Sequence, residues 1–270
     1  MTMMETIDKY FLPLLDYHIL FAVLKYAVFF YVVVCSGLYV ILTWKAIDYR
    51  RRNISAGSIV LLVIAHPDDE CMFFAPAILE LSHSSSVHIL CVTTGNYYGF
   101  GAERQKEILK SAKVLGLPQK NVEIFDDSCF LDDPHQAWDV KKLQHSLSAH
   151  LDKVQPDYIL TFDDKGVSGH PNHIAVSQVL RHALKEKRAV ESSPRLYVLE
   201  SVPLIRQYIS FLDLPLSLLT DHLTFVSSLT NIIYSQRAMY AHQTQFVWFR
   251  ILHVIFSRYM VINTFVPVKL

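Results

Sequence analysis

The chain has 270 residues, enough for one domain of ordinary size plus an accessory segment. Its 25 basic and 25 acidic residues cancel, which argues against the electrostatic footprint of a nucleic-acid binder. Charged residues are only 19% and apolar ones 51%, a balance that hints at membrane contact.

Residues 1–18 are a short mixed segment. Apolar character builds from Ile19, and Tyr26 to Trp44 runs 19 residues without a charge. At the helical rise that length crosses a bilayer, so residues 19–44 are expected as a transmembrane helix. A cleaved signal peptide fits less well, because the stretch is long, starts late and lacks a small-x-small cleavage site. A core helix of so small a domain has no need of an apolar surface all round. Residues 45–57 read as a basic linker. Lys45, Arg50, Arg51 and Arg52 after the span outnumber Lys9 and Lys25 before it, which predicts a cytosolic C-terminal side. Asn53-Ile54-Ser55 is a sequon that this orientation would keep from the glycosylation machinery. Cys35, Cys71, Cys91 and Cys129 show no paired spacing and read as reduced.

Residues 58–270 form the globular domain. Strand patterns fall near 59–65, 87–93, 122–125, 157–162 and 195–200. Helical patterns fall near 72–82, 102–115, 139–153, 172–187 and 235–247. The alternation predicts an α/β fold, a Rossmann-like parallel sheet sandwiched by helices and preceded by the one transmembrane helix. From about 202 the alternation fades into a C-terminal subregion, 202–270. Phe246 to Val266 is apolar and aromatic with Arg250, His253 and Arg258 interspersed. It reads either as a helix packed on the sheet edge or as an amphipathic segment in the membrane surface.

Two strands end in polar clusters. Ile59 to Ala65 is a continuous apolar run, the pattern of a strand buried on both faces. It stops at His66-Pro67-Asp68-Asp69-Glu70, and Pro67 cannot continue the ladder. The cluster therefore stands at the carboxyl end of a central strand, where open α/β sheets bind ligands. Three carboxylates beside an imidazole raise one another's pKa unless a cation neutralises them, and His with carboxylate suits Zn²⁺ or a similar ion. The plainer alternative is a helix N-cap with an exposed His. Tyr158 to Phe162 is the second such run. It leads into Asp163-Asp164 and then Gly169-His170-Pro171-Asn172-His173, whose two His, three apart at a helix start, share a face.

These two motifs resemble the LmbE-like superfamily of zinc-dependent de-N-acetylases. Further pieces resemble its eukaryotic GPI-anchor branch: Phe73-Phe74-Ala75-Pro76, Gly95-Asn96-Tyr97-Tyr98, Asp132-Asp133-Pro134, Leu212 to Leu219 and Ile255 to Met260. The resemblance covers about residues 58–262. It implies hydrolysis of the acetamide of N-acetylglucosaminyl-phosphatidylinositol, a glycolipid, by a single-pass enzyme of the endoplasmic reticulum membrane facing the cytosol. Alternatives are another N-acetylglucosamine conjugate as substrate, or an inactive membrane-tethered scaffold.

The resemblance also implies roles. His66, Asp69 and His173 would hold a divalent metal, with Zn²⁺ the expected ion. Asp68 would be the general base, and a protonated His170 the second acid/base or electrostatic group. Arg104 would contact substrate, although with Glu107 at i+3 it reads equally as a surface ion pair. Asn96 with Tyr97 and Tyr98 would line the sugar pocket. Asp132 or Asp133 would hold a sugar hydroxyl or simply make a turn. Read from position alone, Asp163 or Asp164 would orient a ligand His or merely cap the turn, and Glu70 would do the same for His66. The chain departs from many bacterial members in having Asn172 where they have Asp, a position not expected to ligate. Some also carry a Tyr where Ser168 stands.

Overall fold

A computed structural model describes residues 3–44, 54–133, 137–187 and 193–269. Residues 45–53, with Asn53 of the sequon and the cations after the span, lie outside the described residues. The strands are β1 (Ile59–Ile64), β2 (Ser86–Cys91), β3 (Val122–Ile124), β4 (Tyr158–Phe162), β5 (Arg195–Leu199), β6 (Leu223–Val226) and β7 (Ile262–Pro267). The helices before the sheet's midpoint are α1 (Met3–Trp44), α2 (Asp69–Phe73), α3 (Ala75–Leu81), α4 (Gly101–Val114) and α5 (Val140–Val154). After it come α6 (Gly166–Gly169), α7 (Pro171–Lys187), α8 (Leu204–Gln207), α9 (Leu214–Leu218), α10 (Leu229–Ala241) and α11 (Trp248–Phe256).

The sheet order is β3-β2-β1-β4-β5-β7-β6. The first five strands pair in parallel, as predicted, while β7 pairs antiparallel with both β5 and β6. Successive β1 residues alternate between two cores. Val60, Leu62 and Ile64 pack on one face with Ile78, Ile108 and Met239 from α3, α4 and α10. Leu61, Val63 and Ala65 pack on the other with Leu147 and Val176 from α5 and α7. Burial of each such aliphatic side chain is worth about 1.5–3 kcal/mol, and it requires β1 to be covered on both sides. Strand order reverses between β1 and β4, so their carboxyl ends border the crevice where such sheets bind ligands.

Three expectations change. The helix expected near 235–247 lies earlier, at Leu229–Ala241, because the Ser228 side chain caps it by accepting from the Asn231 N–H at 3.1 Å. The helix expected over 72–82 is two, broken at Phe74, with Pro76 in the first turn of α3. The segment from Phe246 to Val266 is not one element: α11 is followed by β7, an interior strand of the sheet. Beneath it, buried Arg258 meets buried Asp213 at 3.1 Å and donates to Ser217 and Thr264, so the C-terminal subregion is part of the domain's core.

α1 is a single helix of 42 residues, longer than the expected span, and its apolar portion runs from Tyr17 to Thr43. Its C-terminal half packs on the domain. The Tyr31 hydroxyl donates to the Leu212 carbonyl at 2.8 Å, and the Tyr39 hydroxyl to the Ser227 carbonyl at 2.9 Å.

Candidate active site

The turn after β1 folds back on itself. Asp69 Oδ2 accepts from the backbone N–H groups of Ala65 at 3.1 Å and His66 at 2.8 Å, and α2 starts there. The turn forces Asp68 to φ 115°, a strained value for a residue with a side chain, and such strain gathers at functional sites. Buried Glu70 supports the strained residue: its Oε2 accepts from the Asp68 N–H at 3.0 Å. Glu70 Oε1 in turn meets His242 Nε2 at 2.6 Å and accepts from Ser111. Burial opposes ionisation of Glu70, but His242 beside it holds its carboxyl below the usual range. Glu70 therefore serves Asp68, and not His66 as expected from the sequence.

His66, Asp69, His170 and His173 converge from the ends of β1 and β4. One ring nitrogen from each of the three His lies within 4.8 Å of the others. Asp69 Oδ1 stands 3.2 Å from His173 Nε2 and Oδ2 stands 3.7 Å from His66 Nδ1. His173 Nδ1 faces the Gly166 carbonyl at 3.1 Å, which assigns the proton to that nitrogen. Its Nε2 is then a buried lone pair with no hydrogen-bond donor. A Cβ at Gly166 would come within 2.9 Å of His173 Cβ, so the close approach requires glycine. On His66, Nε2 faces Asp132 Oδ1 at 3.0 Å and the Asn172 amide at 3.0 Å, leaving Nδ1 turned to Asp69. An orphaned imidazole nitrogen, a second imidazole oriented by a carboxylate and a buried carboxylate between them fit a divalent metal such as zinc.

Electrostatics follow this arrangement. Burial disfavours protonated His66, but hydrogen bonds to Asp132 and Asp69 outweigh it and raise its pKa to about 9. Asp69, although buried, is held well below the carboxylate range by His173 and His66. Burial and the neighbouring His66 and His173 push His170 down to about 4. A protonated His170 is therefore not what this arrangement favours near neutral pH. Instead His170 Nδ1 accepts from the Asn172 N–H at 3.3 Å, which leaves Nε2–H as a donor.

The metal-free protein should show this in its stability. The folded chain holds the His66 proton more tightly than the unfolded chain does, with its usual value near 6.5. The contribution, roughly 3 kcal/mol, is thus complete below about pH 6.5 and lost as the pH rises through about 9. Thermal melts of chelated protein across that window check it, and His66→Asn should abolish the dependence.

The remaining expected residues separate into two groups. Arg104 is buried under the site, with Nη2 donating to the Pro67 carbonyl at 2.7 Å and Nη1 to the Gly95 carbonyl at 2.9 Å. It also meets Asp132 at 3.3 Å and Asp68 at 3.7 Å. It is not a surface partner of Glu107, which instead accepts from the Thr244 N–H and hydroxyl. Gly95 makes room for it, since a Cβ there would overlap the guanidinium. Asp132 lines the cavity with its carboxylate already engaged by His66 and Arg104. Asn96 does not line it: its Oδ1 accepts from the Gly101 N–H at 2.8 Å and closes the turn before α4, whereas Tyr97 and Tyr98 do line it. Asp163 and Asp164 bond Ser201 and Arg181, so neither orients a ligand His. Sequence reasoning missed Arg250 of α11, which forms an ion pair with Asp68 Oδ2. It also missed Asn172 and the Gly166 carbonyl, since a backbone acceptor carries no side-chain signal. The site opens into a cavity of about 350 Å³ lined by Asp68, Asp69, Arg104, the three His and Arg250.

The mixed, mostly parallel sheet, its switch point and this cluster fit an LmbE-like deacetylase, the class that the family match gives. The family model for GlcNAc-PI de-N-acetylase matches residues 61–184. N-acetylglucosaminyl-phosphatidylinositol de-N-acetylase of Bos taurus is 43% identical over 210 residues, covering 77% of this chain and 83% of that one. The probable enzyme of the same name from Dictyostelium discoideum is 34% identical over 240 residues, covering 78% and 93%. The chain belongs to the GlcNAc-PI de-N-acetylase family. Among solved structures, the N,N'-diacetylchitobiose deacetylase of Pyrococcus horikoshii superposes with a TM-score of 0.57 at 16% identity, covering 86% of this chain and 91% of that one, a likeness of fold.

Proposed function

We propose that the protein hydrolyses the acetamide of N-acetylglucosaminyl-phosphatidylinositol, releasing acetate and leaving glucosaminyl-phosphatidylinositol, the second step of GPI-anchor biosynthesis. The observation that carries this reading is one cavity lined by Asp68, Asp69, His66, His170 and His173, in a chain whose relatives bear that name. His66, Asp69 and His173 would hold the metal, with zinc the ion that suits their donors. Bound there, the ion would supply Lewis acidity toward water and the acetamide oxygen.

The chain's own residues do the rest. Arg104 and Arg250 flank Asp68 Oδ2 and fix its carboxylate at the cavity wall. Asp68 takes the proton of the attacking water as the new C–O bond forms. His170, with Nδ1 occupied by the Asn172 N–H, presents Nε2–H to the developing oxyanion. The C–N bond then breaks, and the proton held by Asp68 goes to the leaving nitrogen.

The apolar α1 and the Lys45, Arg50, Arg51 and Arg52 cluster support a single-pass protein of the endoplasmic reticulum membrane with its domain in the cytosol. Acetate release from N-acetylglucosaminyl-phosphatidylinositol by purified protein, before chelation, after it and after zinc return, tests the proposal. Loss and recovery are expected. Turnover of soluble N-acetylglucosamine conjugates in preference to the glycolipid would move the substrate, and absence of both metal and turnover would leave a scaffold.

A further inference from the structure

The protein carries exposed apolar surface that neither the fold nor the catalytic chemistry uses. Resting on the glycolipid reading above, we propose that α11, with Leu204, Ile205 and Leu219, is a second membrane-contact surface. It seats the mouth of the catalytic cavity in the headgroup layer of a phospholipid leaflet.

The apolar portion of α1, 27 residues, is about 40 Å long against about 30 Å of hydrocarbon, and the surplus is taken up by tilt or by an end standing in the interface. The domain packs on the C-terminal half of α1, Tyr31 near the middle of the apolar portion donating to Leu212 and Tyr39 to Ser227. Counted from Tyr17, these stand about 21 Å and about 33 Å along the helix, so a wall held against them reaches the acyl boundary on the domain's side. Beside that wall stand three strongly exposed apolar residues, Leu219 at 81%, Ile205 at 79% and Leu204 at 71%, with exposed Thr220 and Asp221 following Leu219. The surface continues to α11, where the Tyr208 ring lies 6.3 Å from the His253 ring.

α11 has two faces. Arg250 turns inward to Asp68, and His253 inward to the Met72 carbonyl at 3.0 Å. The other face exposes Trp248, Ile251, Leu252, Ile255 and Phe256, without a charge among them. Such a face beside a membrane span enters the headgroup and acyl boundary. The lack of cations on it means insertion by apolar burial, not attraction to anionic lipid. Phe249 and Arg250 also line the catalytic cavity, so one helix joins lipid surface to site and the sugar headgroup can enter sideways from the leaflet.

The test uses the full chain, carrying Trp44→Phe, in phosphatidylcholine vesicles with and without brominated acyl chains. Of the three tryptophans, buried Trp138 and exposed Trp248 then remain. Brominated lipid should quench the Trp248 share of the emission, equally at low and high salt, and Trp248→Phe should remove the quenchable share. In parallel, the Leu252→Glu, Ile255→Glu double variant should lose about tenfold or more activity on bilayer-embedded glycolipid. It should keep its activity on an N-acetylglucosaminyl-inositol phosphate without acyl chains, and its melting temperature. Trp248 emission untouched by brominated lipid would overturn the proposal, whether it is open to aqueous iodide or shielded from it by a second copy or another protein. Quenching needs no substrate: if it occurs while wild-type protein turns over neither substrate, the substrate reading fails and the surface stands.

Discussion

Asp68→Asn is expected to lower kcat by about 10²–10⁴-fold, the usual contribution of a positioned general base, with metal content unchanged. The substitution keeps the shape of the side chain and removes its charge, and with it the capacity to take a proton. Asn is also among the residues that tolerate positive φ best, so the turn at φ 115° should survive, whereas alanine would confound chemistry with strain. The Glu70 support acts on the Asp68 backbone N–H and does not depend on the side chain. One rearrangement is expected: Arg250 and Arg104 lose an anion, so α11 should loosen slightly without unfolding. Single-turnover acetate release, metal analysis and thermal melting read the three quantities separately. A near-normal kcat would remove Asp68 from the proton transfer and leave that step to a group not yet assigned.

The legible parts of the sequence were those where local pattern and tertiary environment agree. β1 and β4 show themselves because a strand covered on both faces has no polar alternation, and because the chain must leave the sheet at Pro67 and again before Gly166. β7 hides for the opposite reason. Its buried Asn263 and Thr264 read as surface residues until the fold supplies partners, the Phe73 carbonyl and Ala77 N–H for Asn263 and Arg258 for Thr264. α11 was legible as amphipathic, but its separation from β7 was not. Within the site, the two motifs carry the side chains that converge. The groups that orient them came from elsewhere: a backbone carbonyl at Gly166, His242 far along the chain, and Arg250 on a helix distant in sequence. Asn96 misled because it neighbours the pocket-lining tyrosines while its amide serves the turn.

Replacing His173 should have the other large effect, and it decides which imidazoles hold the metal. His173 is the proposed ligand most completely prepared by the fold: Nδ1 is fixed by Gly166, the ring lies flat on Phe162 with centroids 3.9 Å apart, and Nε2 is a buried orphan aimed at Asp69. His173→Ala should therefore strip metal and activity together, and erase the rise in melting temperature that metal gives the native protein. Gly166→Ala is the graded version. It crowds the ring without removing it, and disturbed outer support typically costs about 10–100-fold in metal affinity. His170 belongs to the same cluster, so the contrast with it is decisive. If His66, Asp69 and His173 are the ligands, His170→Ala keeps its metal and loses turnover, as a donor to the oxyanion should. If His170→Ala loses metal as completely as His173→Ala does, His170 is a ligand, and the oxyanion must be stabilised from the arginine side of the cavity.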